Sequence, residues 1–224
     1  MKNRITMIAG IVCLSILTAC SSSESVKGTT SEEQTTSQSG AEMIKANNGV
    51  VSYHGKYLKL AENMDNLEKD APIIIKATKK SEKTTVTKET KETKENVFPT
   101  DFYTMSDVQI NSIEKDTTGK LSENMTIKVL EYSVENVLVE GEEYDLTIDG
   151  YKNMEKGEEY TLFLEKNPDG DNYILSNAVI SKFPVEELSE EELFLDGGQA
   201  TEETDSIEEI YQEVYQEVLE EYSE

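Results

Sequence analysis

Hydrophobic and polar positions change their spacing several times along the chain, and each spacing predicts an element. Lys2 and Arg4 precede an apolar run of thirteen residues, Ile5 to Leu17, which gives way at Cys20 to a Ser/Thr/Glu/Gln/Gly/Asn stretch reaching about Ser52. Tyr57, Leu60, Ala61, Met64 and Leu67 then recur at steps of three and four, the spacing of one helix face, and Asp70-Ala71-Pro72 ends that helix. From Ile73 the pattern becomes that of strands: a β-branched run through Thr87, then Phe102 to Ile113, then Met125 to Leu130 with Met125, Ile127 and Val129 on one face. Lys88 to Glu95 reads as a solvated strand end or hairpin tip.

Shorter strands are expected at Val137–Val139 and Tyr144–Ile148, on either side of a turn at Glu140-Gly141. A hairpin follows, with Tyr160–Glu165 running in and Tyr173–Ser176 running out. In its turn Pro168 presets one φ, and Asp169-Gly170 is expected to supply a positive one. Five or six strands in about 110 residues make a small, mainly β domain of ordinary size. Near the C-terminus Ile207, Ile210, Tyr211, Val214, Tyr215, Val218, Leu219 and Tyr222 fall at steps of three and four while glutamates fill the other face. This predicts an amphipathic helix over about 206–222. Its stripe has two readings: packing on the barrel or on another copy, or docking a partner through Tyr211, Tyr215 and Tyr222.

Composition sharpens the ends of the chain. An apolar run of thirteen residues is short of the about 20 that a spanning helix needs, and with its charged start it has the form of a signal peptide. Removing residues 1–19 leaves 19 basic against 46 acidic residues, a formal charge of −27. Such a chain is repelled by nucleic acid and by anionic lipid. Cys13 lies in the signal, so no disulfide and no cysteine metal cluster is expected. The polar stretch carries too little apolar surface to fold and reads as a tether over 20–55, spanning roughly 30 Å for about 30 residues. The last 39 residues, Glu186 to Glu224, hold sixteen acids and no Lys or Arg.

The inventory for catalysis is thin. His54 is the chain's one histidine, and it reads as a solvent-exposed loop residue. A Ser/His/Asp or Cys/His arrangement would have to use it, and a zinc site would rest mainly on carboxylates. Asp169-Gly170-Asp171 starts like a calcium loop, but the twelfth position is Ile180 where a glutamate is required. Glu190-Glu191-Glu192 and Glu202-Glu203 read as solvated faces. No catalytic residue, metal ligand or cofactor is assigned.

Two resemblances add to this. Leu17-Thr18-Ala19-Cys20, between a short apolar core and a serine-rich stretch, resembles the lipobox of bacterial lipoproteins. It implies cleavage before Cys20 and a diacylglyceryl group on its sulfur. Each buried methylene of such an anchor contributes about 0.8 kcal/mol, so two chains hold where one is marginal. The alternative is an ordinary secretory signal that leaves Cys20 as an unpaired thiol.

The strand sequence Ala71–Ala77, Met125–Leu130, Lys156–Leu164 and Gly170–Leu175 resembles the secreted bacterial domains whose barrel is similar to the OB-like domain of tissue inhibitors of metalloproteinases and to netrin-like modules. It implies a small OB-like antiparallel β-barrel at 56–185, led by a short helix and followed by an acidic tail at 186–224. Those inhibitors bind zinc through a free N-terminal cysteine braced by disulfides. Here no cysteine follows Cys20, so that mechanism does not carry over. The expectation is a non-catalytic interaction module, lipid-anchored on the extracytoplasmic face of the cell membrane, with a protein partner at the envelope and no nucleic acid. A protease-inhibitor-like or solute-capturing lipoprotein is the alternative.

Overall fold

The computed structural model describes residues 42–47, 49–57, 60–86, 98–195 and 202–222. In chain order the elements are β1 Glu42–Asn47, β2 Val50–His54, α1 Met64–Asp70, β3 Ile73–Val86, β4 Phe102–Asp116, β5 Thr126–Glu131, β6 Ser133–Val139, β7 Glu142–Ile148, β8 Glu159–Lys166, β9 Tyr173–Leu175, β10 Lys182–Pro184, α2 Glu190–Leu193 and α3 Glu202–Tyr222. The fold is mainly β, built on a closed five-stranded barrel of OB-like strand order.

Around the barrel the order is β8-β3-β4-β5-β9, and β9 returns to β8. Every pairing is antiparallel except β5 with β9, which meet in parallel at Val129 and Tyr173. Alternation puts Ile73, Ile75, Ala77, Val108, Ile110, Ile127, Val129, Leu162 and Leu164 into one core. Register slips at Ile74/Ile75, Lys76/Ala77 and Lys79/Ser81 bend the long β3–β4 hairpin enough to close that core. Asn63 caps α1 by accepting the Asn66 N–H at 3.0 Å. The helix is shorter than the expected run from Tyr57, because Tyr57 and Leu60 lie before it as partly buried packing residues.

The far half of the β3–β4 hairpin covers a second sheet, ordered β1-β2-β7-β6, in which β2 and β7 run parallel. Val51, Tyr53, Phe102, Val134, Leu146 and Ile148 form the core between them. Tyr53 donates to Pro99 O at 2.8 Å, and its ring lies 5.5 Å from that of Phe102. The expected tether boundary at residue 55 is therefore too late, since residues 42–47 and 50–54 are strands. Polar composition hid them: only Val51 and Tyr53 need to be apolar for β2 to pair.

Glu140 and Gly141, at φ 52° and 95°, make the expected β6–β7 turn. At the β8–β9 turn Gly170 is not at positive φ; Asn167 holds the loop instead, accepting from Asp169 N–H and donating to Asn172 Oδ1, both at 3.0 Å. The strand end or hairpin tip expected at Lys88–Glu95 lies outside the described residues.

Candidate functional site

Two buried carboxylates, Asp149 and Glu131, organise the polar interior, and one turn connects them. Asp149 and Gly150 adopt consecutive left-handed conformations, φ 47° and 70°, and Tyr151 N–H closes the turn on Ile148 O at 2.9 Å. A Cβ at residue 150 would stand 3.2 Å from Leu195 O in a conformation that glycine adopts freely. The Asp149 side chain meets β2 and the segment after it, while Tyr151 reaches Glu131.

Asp149 is 1 % exposed and takes three partners: His54 Nδ1 at 2.8 Å, Gly55 N–H at 2.9 Å and the Tyr57 hydroxyl at 2.5 Å. Burial, and then the Asp149 charge and hydrogen bond, push the Tyr57 phenol well above its ordinary range. His54, expected in an exposed loop, instead ends β2 with its ring held against a buried carboxylate. Asp–imidazole pairing of this kind orients a general base in hydrolases, where the imidazole in turn activates a hydroxyl or thiol. What the carboxylate gathers here, besides the imidazole, is a backbone N–H and a phenol, both of which tie β2 to β7.

Glu131 closes β5 with no exposed surface and accepts from Lys79 Nζ at 3.2 Å, Tyr151 OH at 2.9 Å, Met154 N–H at 2.6 Å and the Ser106 hydroxyl. Lys79, 2 % exposed, also reaches Met154 O and Glu82, each at 2.5 Å. With four donors on its oxygens Glu131 is saturated. Its chemistry is that of a clamp joining β3, β4, β5 and the loop 151–154. Beside it Lys182 lies 4.5 Å over the Tyr151 ring and 5.5 Å over Tyr160, and donates to Lys152 O. Burial lowers the Lys182 pKa to about 8, with Lys79 and Lys152 adding to the effect and Glu131 opposing it. Deeper along the same seam Asn153 donates to Thr104 Oγ1 and Ser133 O.

The tyrosines proposed as a partner surface are internal. Tyr211 and Tyr215 are 3 % and 1 % exposed. Their rings stack on Phe183 at 4.9 and 6.0 Å, and their hydroxyls donate to Lys182 O at 2.7 Å and Glu186 O at 2.8 Å. Tyr222 is half-buried, 6.1 Å from Phe163, and donates to Glu68 at 2.5 Å. The docking reading is corrected: an apolar stripe this regular is satisfied by the outside of β8 and β10, where Tyr160 to Leu164 and Lys182 to Pro184 are buried on both faces. Leu17, Thr18, Ala19 and Cys20 lie outside the described residues.

The clamp residues carry a signal in the sequence, that of inward parity. Lys79 continues the inward parity of Ile73, Ile75 and Ala77, and Glu131 that of Ile127 and Val129. Among the described residues no group of three or more His, Cys, Asp or Glu is placed to hold a metal ion, and no helix is long and apolar enough to cross a membrane. Comparison with protein families, curated proteins and solved structures finds nothing that matches this chain.

Proposed function

We propose that this chain is a lipid-anchored protein of the extracytoplasmic membrane face, acting there as a non-catalytic interaction module. The observation that carries the reading is the order Leu17-Thr18-Ala19-Cys20, polar stretch, folded unit. A cysteine at the border of an oily and a polar segment is where a lipid attaches and a soluble domain begins. The buried groups are consistent with it: Asp149, Glu131, Tyr211 and Tyr215 all spend their hydrogen bonds inside the fold. What remains for partners is outer surface: among the described residues Leu138 and Met125 are its exposed large apolar side chains, and Tyr103, Met105 and Leu130 lie half-buried on the outward side of β3–β4–β5.

The test is intact mass and membrane partition of the protein expressed in a bacterial host, beside Cys20→Ser. A mature chain beginning at Cys20 and carrying added diacylglyceryl mass, with both features lost in the variant, is the expected result. A soluble product of unmodified mass overturns the anchor.

A further inference from the structure

The chain's net charge of −25 is unevenly placed. Alternation along β3, β4 and β5 fixes which side chains face outward, and the register sets their rows. Lys83, Met105 and Leu130 share one row; Ser81, Asp107 and Lys128 share the next; Thr85 and Tyr103 flank the first. Lys83 and Lys128 are exposed, as is Lys80 at the adjoining bulge, while Tyr103, Met105 and Leu130 are half-buried. Among the described residues of these rows the acid is Asp107, engaged by the Ser81 hydroxyl at 2.7 Å, while Glu82, between Ser81 and Lys83, is paired with Lys79 at 2.5 Å. The face is locally basic with an apolar centre.

The outer side of α3 is its opposite. Glu209, Glu213, Glu217 and Glu221 stand at successive i, i+4 positions, all exposed, with Glu220 alongside and no basic residue anywhere after Lys182. Like charges at that spacing disfavour a helix by about 0.2–0.5 kcal/mol per pair, and acids in the last turn oppose the helix dipole. The spacing also matches. Two strand separations and two residues place the Cα atoms of Lys83 and Lys128 about 12 Å apart, and eight residues of helix place Glu213 and Glu221 about 12 Å apart.

We infer that the β3–β4–β5 face binds the outer face of α3 from a second copy of this chain. This deepens the interaction-module reading and rests on it for the choice of surface. The contact is heterologous, the face of one copy meeting the helix of the next, so it builds chains or rings rather than a two-fold dimer. Net charge alone would keep copies apart. Near 0.15 M salt, however, charges are screened beyond about 8 Å, which suppresses the long-range repulsion more than the contact pairs.

The experiment uses the mature chain from residue 20 as Cys20→Ser, without the apolar Ile5–Leu17 run, so that neither lipid nor an oily segment contributes, in sedimentation equilibrium at about 0.15 M salt. The weight-average mass is expected to rise with concentration. Lys83→Glu/Lys128→Glu and Glu213→Lys/Glu221→Lys should each weaken self-association at least tenfold, and an equimolar mixture of the two should recover it, because each then meets its complement. Circular dichroism confirms that both variants are folded. A monomer at all concentrations overturns the inference, and so does association that neither charge reversal changes. The fate of the lipid on Cys20 is read by mass alone, so failure of the anchor and failure of this contact are distinguishable.

Discussion

Replacing Glu131 by Gln keeps the shape of the side chain and removes the charge that Lys79 faces at 3.2 Å. Breaking a buried pair from one side leaves Lys79 with the partly exposed Glu82 as its remaining carboxylate, so Glu131→Gln is expected to cost about 3 kcal/mol, the low end for a buried pair, read as a lower urea midpoint. Lys182 makes the complementary case. Its folded pKa is about 8, below the ordinary 10.5, so the native state sheds this proton before the unfolded chain does. Between pH 8 and 10 the unfolded state then binds more protons, and stability rises with pH; below pH 8 the full cost of about 3 kcal/mol is present. Lys182→Met should raise stability at pH 7 and flatten that rise, as urea titrations from pH 7 to 10 will show. Above pH 10 the buried tyrosines reverse the trend, since burial raises Tyr53 to about 12 and Tyr160 likewise. These residues were only half legible from sequence. Parity marks Lys79 and Glu131 as inward, but nothing local says that positions 52 apart will meet.

Helix α3 shows how packing outweighs propensity. Ile207, Tyr211, Val214, Tyr215 and Val218 are buried on the barrel, on the order of 10 kcal/mol of burial. That exceeds the roughly 1 kcal/mol of repulsion along its glutamate row. Tyr211→Phe should remove only the hydrogen bond to Lys182 O, about 1 kcal/mol. Tyr211→Ala/Tyr215→Ala should cost far more, with hydrogen exchange along α3 rising before the barrel strands melt. If α3 stays protected in the double variant, the helix is not held by this stripe. A 3.6-residue period is a strong signal over 21 residues, which is why α3 was readable and its burying face with it. The strands β1, β2 and β10 were not, because short polar strands acquire their identity from the partner they pair with.

For the molecule as a whole, the barrel's strands can be read one at a time but its closure cannot. Closure depends on Val129 meeting Tyr173 in parallel and on β9 turning back to β8, contacts set by global geometry rather than by local composition. The second sheet escaped for the same reason, and it gives a direct prediction. A chain begun at residue 56 loses Val51 and Tyr53 and strips cover from Phe102, Leu146 and Ile148. It should melt at least 10 °C lower and bind a hydrophobic dye, while a chain begun at residue 42 should do neither.

The parallel pairing of β2 with β7 has a mechanical side. Traction applied to the N-terminal end of the folded unit first peels β1, whose antiparallel pairs with β2 open one after another like a zip. The load then reaches Val50, at the start of β2. Because β7 runs the same way and joins the barrel at its far end, the pairs from Val50–Asp145 to Tyr53–Ile148 are loaded together in shear. A protein held by that end would yield a short length of slack and then resist.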